Sequence, residues 1–457
     1  MNIQKFGHFN KVQDLLKKRT WGYPCACVST RTAASKAFKS PFFLKKKERG
    51  GGGDDYVIET QTTKKKKNKK EKQEYTIKRH KRFLTRLFND PELIPLGGGG
   101  LQRRVMDIVV KRRLPRVEKQ YETIGGSPIR KWTDIQGHLM CEKLDALSPE
   151  TAPHKHYACF RYAPPFTEDV LQQMKEDGIE HAVAFSQYPQ WCCSTSGSSI
   201  NHLWRQVHHL NLEHAFHWSI IDRWFLHRKY VQSVAERILS SVTHFVNTTS
   251  PVQSNSQDIA ILFSAHSVPL KTVTKGDPYV FEVAATVKAV MEELSSDKSP
   301  FSLQHVCPPD KFRVHHQLVW QSKVGYLPWM TPSTAGVLEQ IGRNAKARAD
   351  KCAVFVVPFV FTSDHIETLF ELDIEYKHVA EKAGIAQYIR VPALNDSPIF
   401  IDALSAIVQE HLLKQSNMTA DYHWRCPGCN NDLCRSIVNP KFEQHATAQR
   451  VKLAMLK

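Results

Sequence analysis

Ala353-Val354-Phe355-Val356-Val357-Pro358-Phe359-Val360-Phe361-Thr362-Ser363-Asp364-His365-Ile366-Glu367-Thr368-Leu369-Phe370-Glu371-Leu372-Asp373-Ile374-Glu375-Tyr376 opens as a β-branched and aromatic run and closes as an amphipathic one. A short, continuous apolar run predicts a strand buried on both faces, here Ala353 to Val360. The change to apolar residues three and four apart predicts a helix over His365 to Ala383. The same alternation extends outward. His181 to Phe185, Ile259 to Phe263 and Leu318 to Gln321 read as buried strands, while Val170 to Glu176, Tyr230 to Phe245, Pro278 to Leu294 and Ile399 to Leu413 read as helices. Strands alternating with helices from about residue 155 onward predict an α/β protein with parallel sheets. The polar stretch Ser250 to Gln257, with Pro251, suits a crossing between two lobes.

The chain has 457 residues and a net charge of +18, long enough for two or three domains. The charge is not spread evenly. Residues 1–86 hold 24 Lys and Arg against 7 Asp and Glu, and the remainder holds 39 against 38. A nucleic-acid-binding body carries its own basic face, so a neutral body argues against a nucleic-acid partner. No uncharged apolar run reaches the roughly 18 residues that span a bilayer.

The first 47 residues contain 11 Lys and Arg and one acid, Asp14, with Ser29, Thr30, Thr32 and Ser35 among them. Phe6, Phe9, Val12, Leu15 and Leu16 follow helical spacing with lysines opposite, the pattern of a mitochondrial transit peptide over residues 1–48. Residues 49–82, with Gly50 to Gly53 and the lysine run Lys64 to Lys67, read as a solvated linker, because glycine entropy and charge repulsion oppose a core. Phe83, Leu84, Leu87 and Phe88 begin the globular part. Val105, Met106, Val109 and Val110 form a further apolar helical face that ends in Lys111, Arg112 and Arg113.

Three constellations carry chemistry. His266, in Leu262-Phe263-Ser264-Ala265-His266-Ser267-Val268-Pro269, stands at a strand end, where open α/β sheets place their ligand crevice, and a histidine there can take protons near neutral pH. Glu367, Glu371 and Glu375 are four apart on one helix, beside His365 and Asp373. Clustered like charges on a docked helix need a cation or a retained proton to offset them; a solvated acidic face is the plain alternative. Cys426-Pro427-Gly428-Cys429-Asn430-Asn431-Asp432-Leu433-Cys434 places three thiols within nine residues, and Cys193 is the distant candidate for a fourth. Zinc and a [2Fe-2S] cluster both accept four cysteines.

With these residues the chain resembles the eukaryotic ferrochelatases over about Leu87 to Cys434. The resemblance is carried by Tyr121 to Ile129, Ser148 to Lys155, Gln187-Tyr188-Pro189-Gln190, Ile221-Asp222-Arg223-Trp224, the His266 segment, Val319 to Gly325, and Thr362 to Tyr376. It implies two Rossmann-like, chelatase-type lobes, residues 83–250 and 251–415, with a cleft between them and a cluster-binding tail over 416–457. It implies insertion of Fe2+ into protoporphyrin IX by a homodimer peripheral to the matrix face of the mitochondrial inner membrane. His266 is then the base for pyrrole protons and Glu367 faces it across the macrocycle. His365, Glu371, Asp373 and Glu375 form the proton or metal path. Arg112, Arg113, Tyr121, Ser127, Tyr188 and Trp329 hold the porphyrin, and Cys193, Cys426, Cys429 and Cys434 hold a [2Fe-2S] cluster.

Two departures stand out. The family opens its first lobe with an apolar strand and a glycine-rich loop; the corresponding Lys64 to Lys81 has neither, so the first lobe is expected to lack its first strand and its neighbour to lose backbone partners. The glycine triplet is shortened to Gly125-Gly126. These departures raise the alternative of a catalytically impaired porphyrin- or haem-binding paralogue, and the cysteine tail alone that of a zinc-stapled interaction protein.

Overall fold

The computed structural model describes residues 24–30, 80–90, 92, 100–248, 257–323, 328–348, 352–414, 418–419, 426–429, 431 and 434, with the backbone alone described for 24–30, 100–103, 257 and 347–348. The solvated-linker reading lies almost wholly outside these residues.

Two four-stranded sheets form the frame. The second, built from β5 (Gln257–His266), β6 (Phe312–Gln321), β7 (Cys352–Val357) and β8 (Gln387–Arg390), has the order β6-β5-β7-β8 and is parallel throughout. Its central strand β7 shows why. Ala353 to Val357 are each at most 2% exposed, and burying an aliphatic or aromatic side chain stabilises by roughly 1.5–3 kcal/mol. A strand apolar on both faces holds its place only with helices on both.

The first sheet corrects the sequence-based expectation in two ways. It consists of β1 (Pro24–Thr30), β2 (His154–Phe160), β3 (His181–Ser186) and β4 (His217–Ile221) in the order β2-β1-β3-β4. The place expected to be vacant is filled by a segment of the leader. β1 runs antiparallel to both neighbours, with Cys25 opposite Cys159 on one side and Ser186 on the other, so this sheet is mixed. Only β3 and β4 are parallel. The physical reason is the one that made the gap costly: β2 and β3 each present a row of backbone donors and acceptors that needs a partner.

Helical residues 80–88 precede α1 (Gly100–Thr123), which continues through Pro115 well past the short apolar face read from sequence. It closes at Gly125 and Gly126, whose φ values of 76° and 103° are left-handed, with the Gly126 amide donating to the Tyr121 carbonyl at 2.8 Å. That turn favours glycine. α2 (Ile129–Leu147), α3 (Thr167–Glu176), α4 (Ser198–His209) and α5 (Arg228–Thr248) complete the first lobe. α6 (Leu270–Thr274), α7 (Tyr279–Ser295) and α8 (Thr334–Arg348) follow β5 and β6. Glu367–Tyr376 is a π-helix that continues into α9 (Lys377–Ala383), where Gly384 at φ 92° ends it.

The last helix, α10 (Pro398–Leu413), joins the lobes. It packs against α2 and α5 of the first lobe, Ser405 donates to the Met140 carbonyl at 3.3 Å, and Lys143 pairs with Asp402. One apolar core therefore runs across both lobes, from Met140 and Phe185 through Phe263 and Phe355 to Phe400.

Candidate active site

β5 carries His266 to its carboxyl end, as expected from the sequence. The residue is 3% exposed, and its Nδ1 lies 2.7 Å from the Ser267 carbonyl. A carbonyl only accepts, so Nδ1 donates and Nε2 becomes the atom that gains or gives a proton. Nε2 lies 3.8 Å from Glu367 Oε1.

Glu367 begins the π-helix and is buried. Its Oε2 lies 2.8 Å from His365 Nε2, while His365 Nδ1 donates to the Ser363 carbonyl at 3.0 Å. With Nδ1 already protonated, a short contact between Nε2 and a carboxylate oxygen requires one more proton on one of the two. The His365–Glu367 pair therefore holds a proton.

The remaining carboxylates do not stand as a bare row. Glu371 is turned inward, where Ser322 N–H donates at 3.0 Å, Tyr376 O–H at 2.9 Å, and the Ser322 hydroxyl makes a further short bond. Burial, resisted by Ser322 and Tyr376 and assisted by Glu367 and Glu375, raises its pKa to about 7. Ser322 makes both bonds from a left-handed backbone at φ 62°. Asp373 is held by Arg390 at 2.7 and 3.0 Å, and Glu375 by Arg116 at 3.1 Å. The charge problem seen in the sequence is thus met in two ways, by a raised pKa at Glu371 and by arginine partners further along.

An apolar recess of about 20 Å³ sits at this site, lined in part by Tyr188, Gln190, Cys192, His266, Tyr279 and Phe361. That is room for about one water. His266 Nε2 and Glu367 Oε1 face each other at 3.8 Å beside this recess.

The other expected site residues divide. Tyr121 is buried on α1, stacked on His80 at 4.9 Å, and its hydroxyl is held protonated by burial and by Glu367. Arg113 lies over the Phe88 ring, 5.3 Å from its centroid. Trp329 is buried and bridged to Pro269, three residues after His266 along the chain. Arg112 and Ser127 are exposed. Sequence reasoning missed Gln190, Tyr279 and the acids beneath them, Asp277 and Glu282; the available signal was two acids in an otherwise apolar helical entrance.

Cys193 begins a π-helical turn, Cys193–Gly197. The residue is exposed, and the tail loop approaches it over the turn at Lys275 to Asp277, where the Lys275 carbonyl accepts the Gly428 amide and Asp277 accepts the Cys193 amide. None of the four cysteines Cys193, Cys426, Cys429 and Cys434 forms a disulfide among the described residues. Among the described residues no three His, Cys, Asp or Glu side chains close around a single point as one ion requires. No described helix is long and apolar enough to cross a membrane.

Residues 73–412 match the family model described as Ferrochelatase. A protein of Dictyostelium discoideum named "Ferrochelatase, mitochondrial" is 43% identical over 376 residues, 78% of this chain and 84% of the relative. Drosophila melanogaster and Homo sapiens proteins of the same name are each 42% identical over 355 residues, 77% of this chain, covering 85% and 77% of those relatives. The family model reaches across both lobes, the second of which carries His266, His365 and Glu367, and the chain belongs to the ferrochelatase family.

Proposed function

We propose that the chain is a mitochondrial ferrochelatase that inserts Fe2+ into protoporphyrin IX to form haem. The observation that carries this is the opposition of His266 Nε2 and Glu367 Oε1 beside an apolar recess. Metallation of a free-base porphyrin must expel two pyrrole protons, so a base and a proton exit are both needed. His266, whose Nδ1 is committed to the Ser267 carbonyl, accepts at Nε2. Glu367 with His365 holds one proton and passes it on, and Glu371, with a pKa of about 7, takes and releases a proton at neutral pH. Binding energy from elsewhere on the ligand favours a bent macrocycle with exposed nitrogen lone pairs. Arg113, Tyr121, Tyr188 and Trp329 supply the walls, and Arg112 and Ser127 the exposed lip, where a guanidinium suits a propionate.

Cys193, Cys426, Cys429 and Cys434 suit a [2Fe-2S] cluster. What supports this reading is four thiols in the family's cluster positions, with the tail loop seated on the turn that also binds the Cys193 backbone amide. When bound, such a cluster supplies a covalent staple and a one-electron centre. The protein's own part is to hold Cys193 and the tail loop together. The basic residues ahead of β1, 1–23, suit import into the mitochondrion, because β1 itself stays in the first sheet. The exposed Ile108, with Arg104, Lys111 and Arg112 on the same helix, suits peripheral contact with the inner membrane as a homodimer. Expression in cells that lack their own ferrochelatase tests the function: restored growth without added haem supports it, and continued haem dependence of cells that make the folded protein refutes it.

A further inference from the structure

The turn between α6 and α7 touches three things at once. On one side the Lys275 carbonyl accepts the Gly428 amide at 2.9 Å, inside the cysteine loop of the tail. Gly276, at φ 91°, lies so close to Pro427 that a Cβ there would collide with its ring, and a Cβ on Gly428 would meet the Lys275 Cα at 3.0 Å. Both glycines are the kind that close backbone approach requires. On the second side Asp277 Oδ2 accepts the Cys193 amide at 2.7 Å. On the third, Asp277 Oδ1 accepts the Tyr279 amide at 3.0 Å, and Tyr279 is a wall of the recess at His266.

Asp277 is 2% exposed. Its two oxygens thus fix two backbone points, one beneath a thiol of the four-cysteine group and one beneath the substrate wall. The neighbouring contacts reinforce the arrangement. The Trp191 amide donates to Glu282 Oε2 at 2.7 Å, and Gln190 donates to Thr286 at 3.0 Å, so the first-lobe segment bearing Gln190, Cys192 and Cys193 is pinned twice to α7 and once to the turn before it. Arg223, just beyond β4, closes the arrangement by bonding Glu282 at 2.6 Å.

We propose that residues 275–279 are a mechanical link through which the four-cysteine centre sets the position of the porphyrin wall, with Asp277 as its positioning residue. The proposal rests on the cysteine-cluster reading above. It differs from a direct redox or catalytic role because nothing passes through the link except position. An intact centre holds the tail loop against Lys275 and Gly276, keeps Asp277 seated under Cys193, and so keeps Tyr279 in place.

The test is a double-mutant cycle on the full chain with Asp277→Asn and Cys429→Ser, reading porphyrin affinity by fluorescence titration, with KM and kcat measured separately. Iron and acid-labile sulfide are determined in each protein. Asparagine fits the same space but accepts with one atom only, and losing a hydrogen bond to a buried charged group weakens the linked equilibrium about tenfold. The link predicts that each single variant raises porphyrin Kd and KM about tenfold with kcat little changed, and that the double variant is no worse than either alone, since both break one connection. Additive effects overturn it, as does Asp277→Asn with unaltered porphyrin Kd. Asp277→Glu, which retains both acceptors, should recover part of the affinity; if it is as weak as the asparagine variant, a general packing defect replaces the link. Wild-type protein lacking iron and sulfide defeats the cluster reading itself, a result distinct from the cycle.

Discussion

Replacing Glu371 by Gln tests whether a proton is stored along the π-helix. The residue is buried, and its pKa is raised to about 7 from an ordinary 4.5, with burial the largest cause. Because the folded value is the higher one, the unfolded chain releases this proton first as pH rises. The contribution of Glu371 to stability is therefore fully present below about pH 4.5, declines between there and about pH 7, and is constant above. At 1.36 kcal/mol per unit, the decline amounts to about 3 kcal/mol. Glutamine has nearly the same shape, can accept from the Ser322 amide and does not ionise. Urea unfolding of wild type and Glu371→Gln at pH 5 and pH 8 measures the difference. The variant should gain on wild type by about 2–3 kcal/mol between the two pH values, while its metallation rate falls because the relay has lost a titrating member. Parallel pH dependences of stability for the two proteins would refute the reasoning.

His266→Ala should lower kcat at least a hundredfold, the usual worth of a positioned base, while fluorescence titration shows porphyrin still bound. Cys193→Ser should abolish visible iron-sulfur absorption, although three tail thiols remain; an unchanged spectrum would show that Cys193 is not a ligand. A chain beginning at Pro24 should fold, whereas one beginning at Arg31 loses the middle strand of the first sheet and should be cut rapidly in limited proteolysis. Equal resistance of the two would show that β1 is dispensable.

The second lobe was the more legible because its strands are apolar on both faces. β7 and β5 announce themselves as runs such as Ala353 to Val357, each buried by helices on either side. β2 and β4 were missed because His154, Lys155 and His156, or His217 and Ser219, interrupt their apolar runs. β1 was hidden by its company: a short strand within a basic leader looks like a targeting segment, and only the open positions between β2 and β3 give it a place. Spacing put Glu367, Glu371 and Glu375 on one helix face, yet could not foresee a π-helix that buries the first two, nor that Arg390 and Arg116 would come from elsewhere to hold Asp373 and Glu375. The same limit hid Asp277 and Glu282, whose importance lies in backbone amides more than 80 residues away.

The central claim is that a chain whose first sheet is completed by its own leader still joins iron to porphyrin at His266 and Glu367. The most direct measurement supplies the purified full chain with Fe2+ and protoporphyrin IX under anaerobic conditions and follows porphyrin fluorescence. The account predicts a catalytic, His266-dependent loss of fluorescence as haem forms. Fluorescence that stays constant while the protein binds porphyrin would contradict it.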